Sequence, residues 1–266
     1  MFDNLIICRE DIELTEIPSD KVGFSTTNFK IFKLLINLIS DTTDEVNFRF
    51  NEEGLSISCM DSGHISYIIC NCPVDFFDSY NCPEPQVFGM NMKSLTKIFS
   101  IAKTNIGITV YFSDDEVNFF MNTGNQEKEY IIKQMILDQE DLQIPDLDWE
   151  YSIKMTSLDF YNISHEINDI GDSCIVKLKN NHIQFSCDGD IGTIKIKTKP
   201  VDFNQNTEDK FTKFMFSSKY LFHYSKARAL SPYIQLNFSK DTPVKMTYDL
   251  GNNAFIHNFL APKITD

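Results

Sequence analysis

The sequence predicts an α+β chain built from two similar halves. Two observations carry that expectation. An amphipathic helix followed by two alternating segments occurs twice, and matching elements stand about 126 to 131 residues apart, as in Phe29 to Asp159 and Met92 to Ser218. Each half then adds a second helix and more alternating strands. Repetition at this length marks a duplicated domain rather than a solenoid of short units. The chain has 266 residues, 42% of them hydrophobic, enough apolar material for two cores.

The elements follow in order. Phe29, Phe32, Ile36 and Ile39 recur at helical spacing, so the first helix is read over Phe29 to Ile39. Val46 to Phe50 and Leu55 to Cys59 alternate as strands around a turn at Asn51 to Gly54. The second half repeats this with a helix at Asp159 to Ile167 and strands at Cys174 to Leu178 and Ile183 to Cys187, around Asn180 and Asn181. Second helices span Met92 to Lys103 and Ser218 to Arg228, with Ser94 and Ser217 as expected N-caps. Strands follow within Gly107 to Met121 and Tyr233 to Leu250.

Between the halves, Asp138 to Asp148 is acidic and carries Pro145, so it reads as a linker. Its apolar Leu142 and Ile144 leave two readings open: packing beside a binding pocket, or pinning the linker to a domain surface. The expected divisions are an extension over 1–22, a first domain over 23–135, a connecting loop over 136–150 and a second domain over 151–266.

Several classes are excluded. There is no run of about 18 apolar residues, so no membrane span is expected. The first twenty residues carry Asp3, Glu10, Asp11 and Glu13, unlike a secretory signal. Seven irregularly spaced cysteines do not form a disulfide framework and suit a reducing compartment. Cys70 and Cys72 lack the second ligand pair that zinc needs, so no metal or cofactor is expected. The sequence has no phosphate-binding glycine loop, no Gly-x-Ser-x-Gly elbow and no His-Glu-x-x-His, and no acid, base and nucleophile converge. Asp114 to Glu116 reads as a solvated turn, and Asp188 to Asp190 has too few ligands for a calcium loop. The chain is not expected to be an enzyme.

The formal charge is -14, which repels nucleic acid as a whole, so the placement of the 24 basic residues decides. Lys30, Lys33 and Asn37 share one helix face; Lys93 and Lys97 are four apart; Lys219, His223 and Lys226 fall at helical spacing. Three of four helices thus carry a lysine face almost free of acids, suited to phosphate contacts that ignore sequence. The exception has Asn162, His165, Glu166 and Asp169 on its polar face. These faces show little arginine or aromatic content, so base stacking and direct base readout are not expected.

Met60 to Ile65 and Phe259 to Ile264 resemble two segments of the eukaryotic-type sliding clamp family, proliferating cell nuclear antigen. Asn125-Gln126-Glu127-Lys128, Leu142-x-Ile144-Pro145, Ile170-Gly171-Asp172 and Lys219-Tyr220-Leu221 extend the resemblance over most of the chain from Phe24. It implies the DNA clamp fold: two similar clamp domains per chain, helices lining a head-to-tail ring of three chains and sheets outside. It implies a processivity factor that encircles duplex DNA without reading sequence and serves DNA polymerase, a clamp loader and other replication and repair proteins. By resemblance the ring lining is Lys30, Lys33, Lys93, Lys97, Lys128, His165, Lys219 and Lys226, with Asn162 and Asp169 replacing usual basic residues. The pocket for client peptides of the Gln-x-x-aliphatic-x-x-aromatic-aromatic (PIP-box) type would comprise Met60, His64, Ile65, Tyr67, Leu142, Ile144, Pro243, Phe259, Leu260, Ala261 and Pro262. Subunit edges would use Glu129, Tyr130, Ile132 and Gln134 on one chain, and Thr193, Lys195 and Lys197 on the next. The family's modifiable lysine is replaced by Asn180, beside Lys179.

The resemblance implies a nuclear location, or a viral replication site. The Asn-, Ile-, Lys- and Phe-rich composition and the additional N-terminal residues fit a large DNA virus or a divergent protist. Alternatives that stay open are a clamp-like subunit of a heterotrimer, an open or monomeric processivity factor, and a protein-interaction platform that does not encircle DNA.

Overall fold

One strand order is used twice. The computed structural model describes residues 14–102, 106–113, 115–122, 126–138, 147–179, 181–207 and 212–263. Over these, the chain divides into two compact units, residues 1–57 with 71–139, and residues 58–70 with 140–266.

The first unit opens with strand β1 (Val22–Thr26) and helix α1 (Phe29–Ser40). Strands β2 (Glu45–Asn51), β3 (Gly54–Met60), β4 (Ser66–Pro73), β5 (Ser79–Asn81) and β6 (Gln86–Asn91) lead to helix α2 (Met92–Ile101). Strands β7 (Gly107–Phe112), β8 (Glu116–Asn122) and β9 (Glu127–Lys133) complete it. The second unit runs from β10 (Tyr151–Thr156) through helix α3 (Ser157–Ile170), β11 (Ser173–Lys179), β12 (His182–Gly189), β13 (Gly192–Thr198), β14 (Asp202–Gln205) and β15 (Thr212–Ser217). Helix α4 (Ser218–Ser225) and strands β16 (Tyr233–Phe238), β17 (Val244–Gly251) and β18 (Ala254–Leu260) follow.

Strand order β5-β1-β7-β8-β9 in the first unit matches β14-β10-β16-β17-β18 in the second. The order β4-β3-β2-β6 likewise matches β13-β12-β11-β15. The hairpin of β3 and β4 has its base in the first unit, while its tip, Ser58–Cys70, belongs to the second.

Local chemistry sets the ends of these elements. At the β2–β3 turn, Asn51 Oδ1 accepts from the amides of Glu53 and Gly54 at 2.9 and 3.1 Å. Gly54 has φ +142°, with the Cys72 carbonyl where a Cβ would stand, so only glycine fits. Helix α2 is capped by Asn91, whose side chain accepts from the Ser94 amide at 3.0 Å; Ser94 is the donor, not the expected cap. Thr156 caps α3 by accepting from the Asp159 amide at 3.1 Å, while its hydroxyl donates to the Asp159 carboxylate at 2.6 Å. Ser217 stands at the N-cap of α4 without a side-chain cap bond.

Packing follows the apolar spacing. In the first unit Phe24 lies 4.9 Å from Phe32 and 4.7 Å from Phe77 between ring centroids, and Phe29 of α1 stacks on Phe99 of α2 at 5.2 Å. In the second, Phe160, Ile163 and Ile167 of α3 and Leu221 and Tyr224 of α4 are buried, as are Phe214, Phe216 and Phe238 of the sheets. Each such aromatic contributes about 1.5–3 kcal/mol by burial. Residues just before β1 lie against the first unit's sheet: the Thr109 hydroxyl donates to the Thr15 carbonyl at 2.9 Å, and Asn81 Nδ2 donates to the Lys21 carbonyl at 2.6 Å.

Candidate functional site

The tip of the β3–β4 hairpin is organised by one carboxylate. Asp61 accepts from the amides of Gly63, Ile65 and Ser66 at 3.2, 2.9 and 2.6 Å, and from the Tyr220 hydroxyl at 2.7 Å. The His64 amide donates to the Asp61 carbonyl at 3.0 Å, which holds His64 in the left-handed region at φ 54°. Burial alone would raise the Asp61 carboxyl. The bonds from Tyr220, Ser66, Ile65 and Gly63 outweigh it and hold the group below its ordinary range. The same bond, followed by burial, pushes the Tyr220 hydroxyl up to about 12.

The C-terminal segment is tied to this tip. The Ala261 amide donates to the Ile65 carbonyl at 2.9 Å, and the Lys263 amide donates to the Met215 carbonyl at 2.7 Å. Lys263 Nζ donates to the Asp172 carbonyl at 3.0 Å and to Ser173 Oγ at 2.7 Å. Of the expected pocket residues, Ile65 is 41% exposed, His64 and Pro243 are exposed, and Met60, Ala261 and Pro262 are half-buried. Tyr67 and Phe259 are nearly covered, at 8% and 7%. Register pairs Val244 with Leu260, which brings Pro243 to the end of the strand that leads into Ala261. Leu260 itself alternates with Asn258 and Ile256 on the core face and is fully buried, so it supports the site from beneath. Leu142 and Ile144 lie outside the described residues, as does Asn180.

Beside Phe259, His257 forms a row with Phe255, the two rings 4.0 Å apart. Its Nδ1 is 3.0 Å from the Thr247 hydroxyl. Burial, and then the charge of Lys245, pushes His257 down to about 4.

The expected lysine faces divide by environment. Lys30, Lys97 and Lys219 are exposed and make no bond or ion pair among the described residues. Lys33 is half-buried and donates to the Ala102 carbonyl at 3.3 Å. Lys93 pairs with Asp44 at 2.8 Å, an exposed ion pair of little worth to stability. Lys128 is half-buried on β9.

The helix pair of the second unit differs from expectation. Helix α4 stops at Ser225 and the chain tightens into a 3-10 turn, Lys226–Ala229, ahead of Ser231 and Pro232. That turn lays the Arg228 guanidinium 3.5 Å over the Tyr161 ring. Phe222 packs 5.7 Å from Tyr161 and 5.2 Å from His165, with Lys226 Nζ 5.4 Å above it. His165 Nδ1 is 3.4 Å from Asp169. The expectation of little arginine and aromatic content on these faces is corrected here. A straight helix through Arg228 hid the grouping, and a shift to three residues per turn creates it.

Two sheet edges differ in charge: β9 mixes two acids with two lysines, whereas β13 carries two lysines and no acid. Strand β9 ends its sheet and exposes Glu127, Glu129, Ile131 and Lys133, with Tyr130 and Ile132 half-buried between them. Gln134, just beyond it, is half-buried and its amide donates to the Asp115 carbonyl at 3.1 Å. Strand β13 ends another sheet and exposes Thr193, Lys195 and Lys197, with Ile194 and Ile196 half-buried. Among the described residues no group of three or more His, Cys, Asp or Glu could hold a metal ion.

One helix-and-sheet unit used twice, with the same strand order each time, defines the two-domain DNA clamp fold. Residues 24–143 match the N-terminal domain of proliferating cell nuclear antigen, and residues 143–264 match its C-terminal domain. The proliferating cell nuclear antigen of Chaetomium thermophilum is 30% identical over 247 residues, which cover 89% of this chain and 95% of that one. The chain belongs to the proliferating cell nuclear antigen family. It is thereby a DNA sliding clamp and processivity factor of replication and repair, a non-enzymatic scaffold. The family implies DNA, polymerase-associated proteins and self-assembly as its partner classes. No helix among the described residues is long and apolar enough to cross a membrane.

Proposed function

We propose that three copies of this chain close head to tail around duplex DNA, tether a DNA polymerase and recruit other proteins through the surface around Ile65 and Ala261. The observation that carries this is an asymmetry between equivalent strands. Ser66–Cys70 of β4 lies beside β18, both in the second unit, whereas the matching strands β13 and β9 are unpaired edges. A second copy supplies the missing neighbour for each, and a heterologous pairing of this kind closes into a ring. Glu127 and Glu129 of β9 can meet Lys195 and Lys197 of β13, whereas two β13 edges together would set lysine against lysine. The exposed Lys30, Lys97 and Lys219 would contact phosphates inside the ring. Ile65, with Met60, Ala261 and Pro262, offers an apolar seat for an aromatic-anchored client peptide of the PIP-box type, loaded and used at the nucleus or a viral replication site.

Light scattering over a range of concentrations tests the ring. A mass three times 30.7 kDa is expected; a persistent monomer would sink it. Changing Lys30, Lys97 and Lys219 together to Ala should flatten the salt dependence of duplex DNA binding, by about 0.9 in slope for each phosphate no longer neutralised. An unchanged slope would remove these lysines from the lining.

A further inference from the structure

We propose that Arg228, held flat on Tyr161, is the main DNA-phosphate contact of the second unit, with Lys226 and His165 grouped around Phe222 beside it. This rests on the reading that the helix faces meet duplex DNA.

The first helix of the second unit has no lysine or arginine of its own: α3 presents Asn162, His165, Glu166 and Asp169 on its outer face. The cationic groups come instead from the neighbouring turn. Arg228 is exposed, and its guanidinium makes no hydrogen bond or ion pair with another described residue; it rests on the face of Tyr161 at 3.5 Å. A guanidinium stacked by its face keeps all its N–H donors in the plane, directed sideways. It is therefore held in one orientation while its whole hydrogen-bonding edge stays open. That is the arrangement that a phosphate oxygen pair accepts in bidentate fashion.

The rest of the cluster supports the same ligand. Tyr161 is braced by Phe222 at 5.7 Å and by His165 at 6.1 Å. Lys226 rests over the other aromatic ring and is exposed. Three basic side chains thus gather on two half-buried rings, and Asp169 lies 3.4 Å from His165 Nδ1. An open cationic edge of this kind is complementary to a polyanion, and no ion pair with a described carboxylate takes up the Arg228 guanidinium. Because the rings are half covered by their neighbours, they serve to orient the cations. Tyr161 acts here as a positioning residue.

The test uses the full-length protein and a linear mixed-sequence duplex, with affinity measured at several salt concentrations and the thermal midpoint checked for each variant. Arg228→Gln should lower the salt slope by about 0.9 for each Arg228 in contact with a phosphate. Tyr161→Leu should weaken binding severalfold, and Tyr161→Phe, which keeps the ring, should restore it. Arg228→Lys keeps the charge but not the stacked plane; it should retain the slope at severalfold lower affinity, and it serves if Arg228→Gln folds poorly. A wild-type slope and affinity in both Arg228 variants overturns the proposal. If the Lys30, Lys97 and Lys219 triple variant still loses slope in that case, the lining reading stands without Arg228. If the triple variant is also unchanged, both fall together.

Discussion

Tyr220 donates its hydroxyl to Asp61 at 2.7 Å across 159 positions of sequence, and Asp61 spends its remaining acceptor capacity on the amides of its own loop. The carboxylate is both the hub of the hairpin tip and its tie to α4.

Asp61→Asn is expected to cost about 1–3 kcal/mol at neutral pH, because amides that donated to a charged oxygen lose part of their partner. The pH dependence gives the sharper signature. The folded carboxyl lies below its ordinary range, so its stabilising effect is present above the unfolded value near 3.9 and is lost as pH falls through the folded one. Denaturant midpoints of the wild type should therefore drop more steeply below about pH 4 than those of Asp61→Asn. Parallel curves would mean that the carboxylate is not the hub.

His257 acts in a different window. Its folded value is about 4, below the ordinary 6.5, so the unfolded chain binds the proton more readily between those values. Stability is then full above pH 6.5 and declines as pH falls towards 4. His257→Gln, which cannot take up that proton, should remove this decline while leaving the steeper loss at lower pH. Thermal midpoints at half-unit pH steps separate the two groups.

The proposed docking surface separates into seat and support. Ile65→Ala should weaken an aromatic-anchored client peptide by about 1–2 kcal/mol, within the range of a moderate interface hot spot, with little change in unfolding. Leu260→Ala should instead cost about 2–5 kcal/mol of stability, as for a wholly buried leucine. Titration calorimetry beside chemical denaturation measures both. Equal peptide affinity for Ile65→Ala and wild type would move the seat elsewhere.

The sequence made the doubled architecture readable because its periodicity is local: Phe29, Phe32, Ile36 and Ile39 mark one helix, and the strands alternate as expected. What stayed hidden depends on contacts between distant segments or on small changes of pitch. Asp61 entered only as one residue of the Met60 to Ile65 segment, and nothing near it in sequence points to Tyr220. Leu260 read as a pocket residue because its neighbours do; only the alternation of β18 against the core assigns it inward. Arg228 read as the last residue of a helix, and a single 3-10 turn moved it over Tyr161. The cap of α2 was missed by three positions, since Asn91 and Ser94 are both good capping types and the donor and acceptor roles are settled only by geometry.

The hairpin tip Ser58–Cys70 also bears on how the protein is made. Its bonds run to Tyr220 and Ala261, which leave the ribosome long after the tip itself. Contacts this distant in sequence form late. A nascent chain that has not yet added Tyr220 and Ala261 would present Ile65 on an untied loop. The proposed docking surface is thus completed by chain added long after the tip, so binding of a client peptide would report that Tyr220 and Ala261 have reached their places.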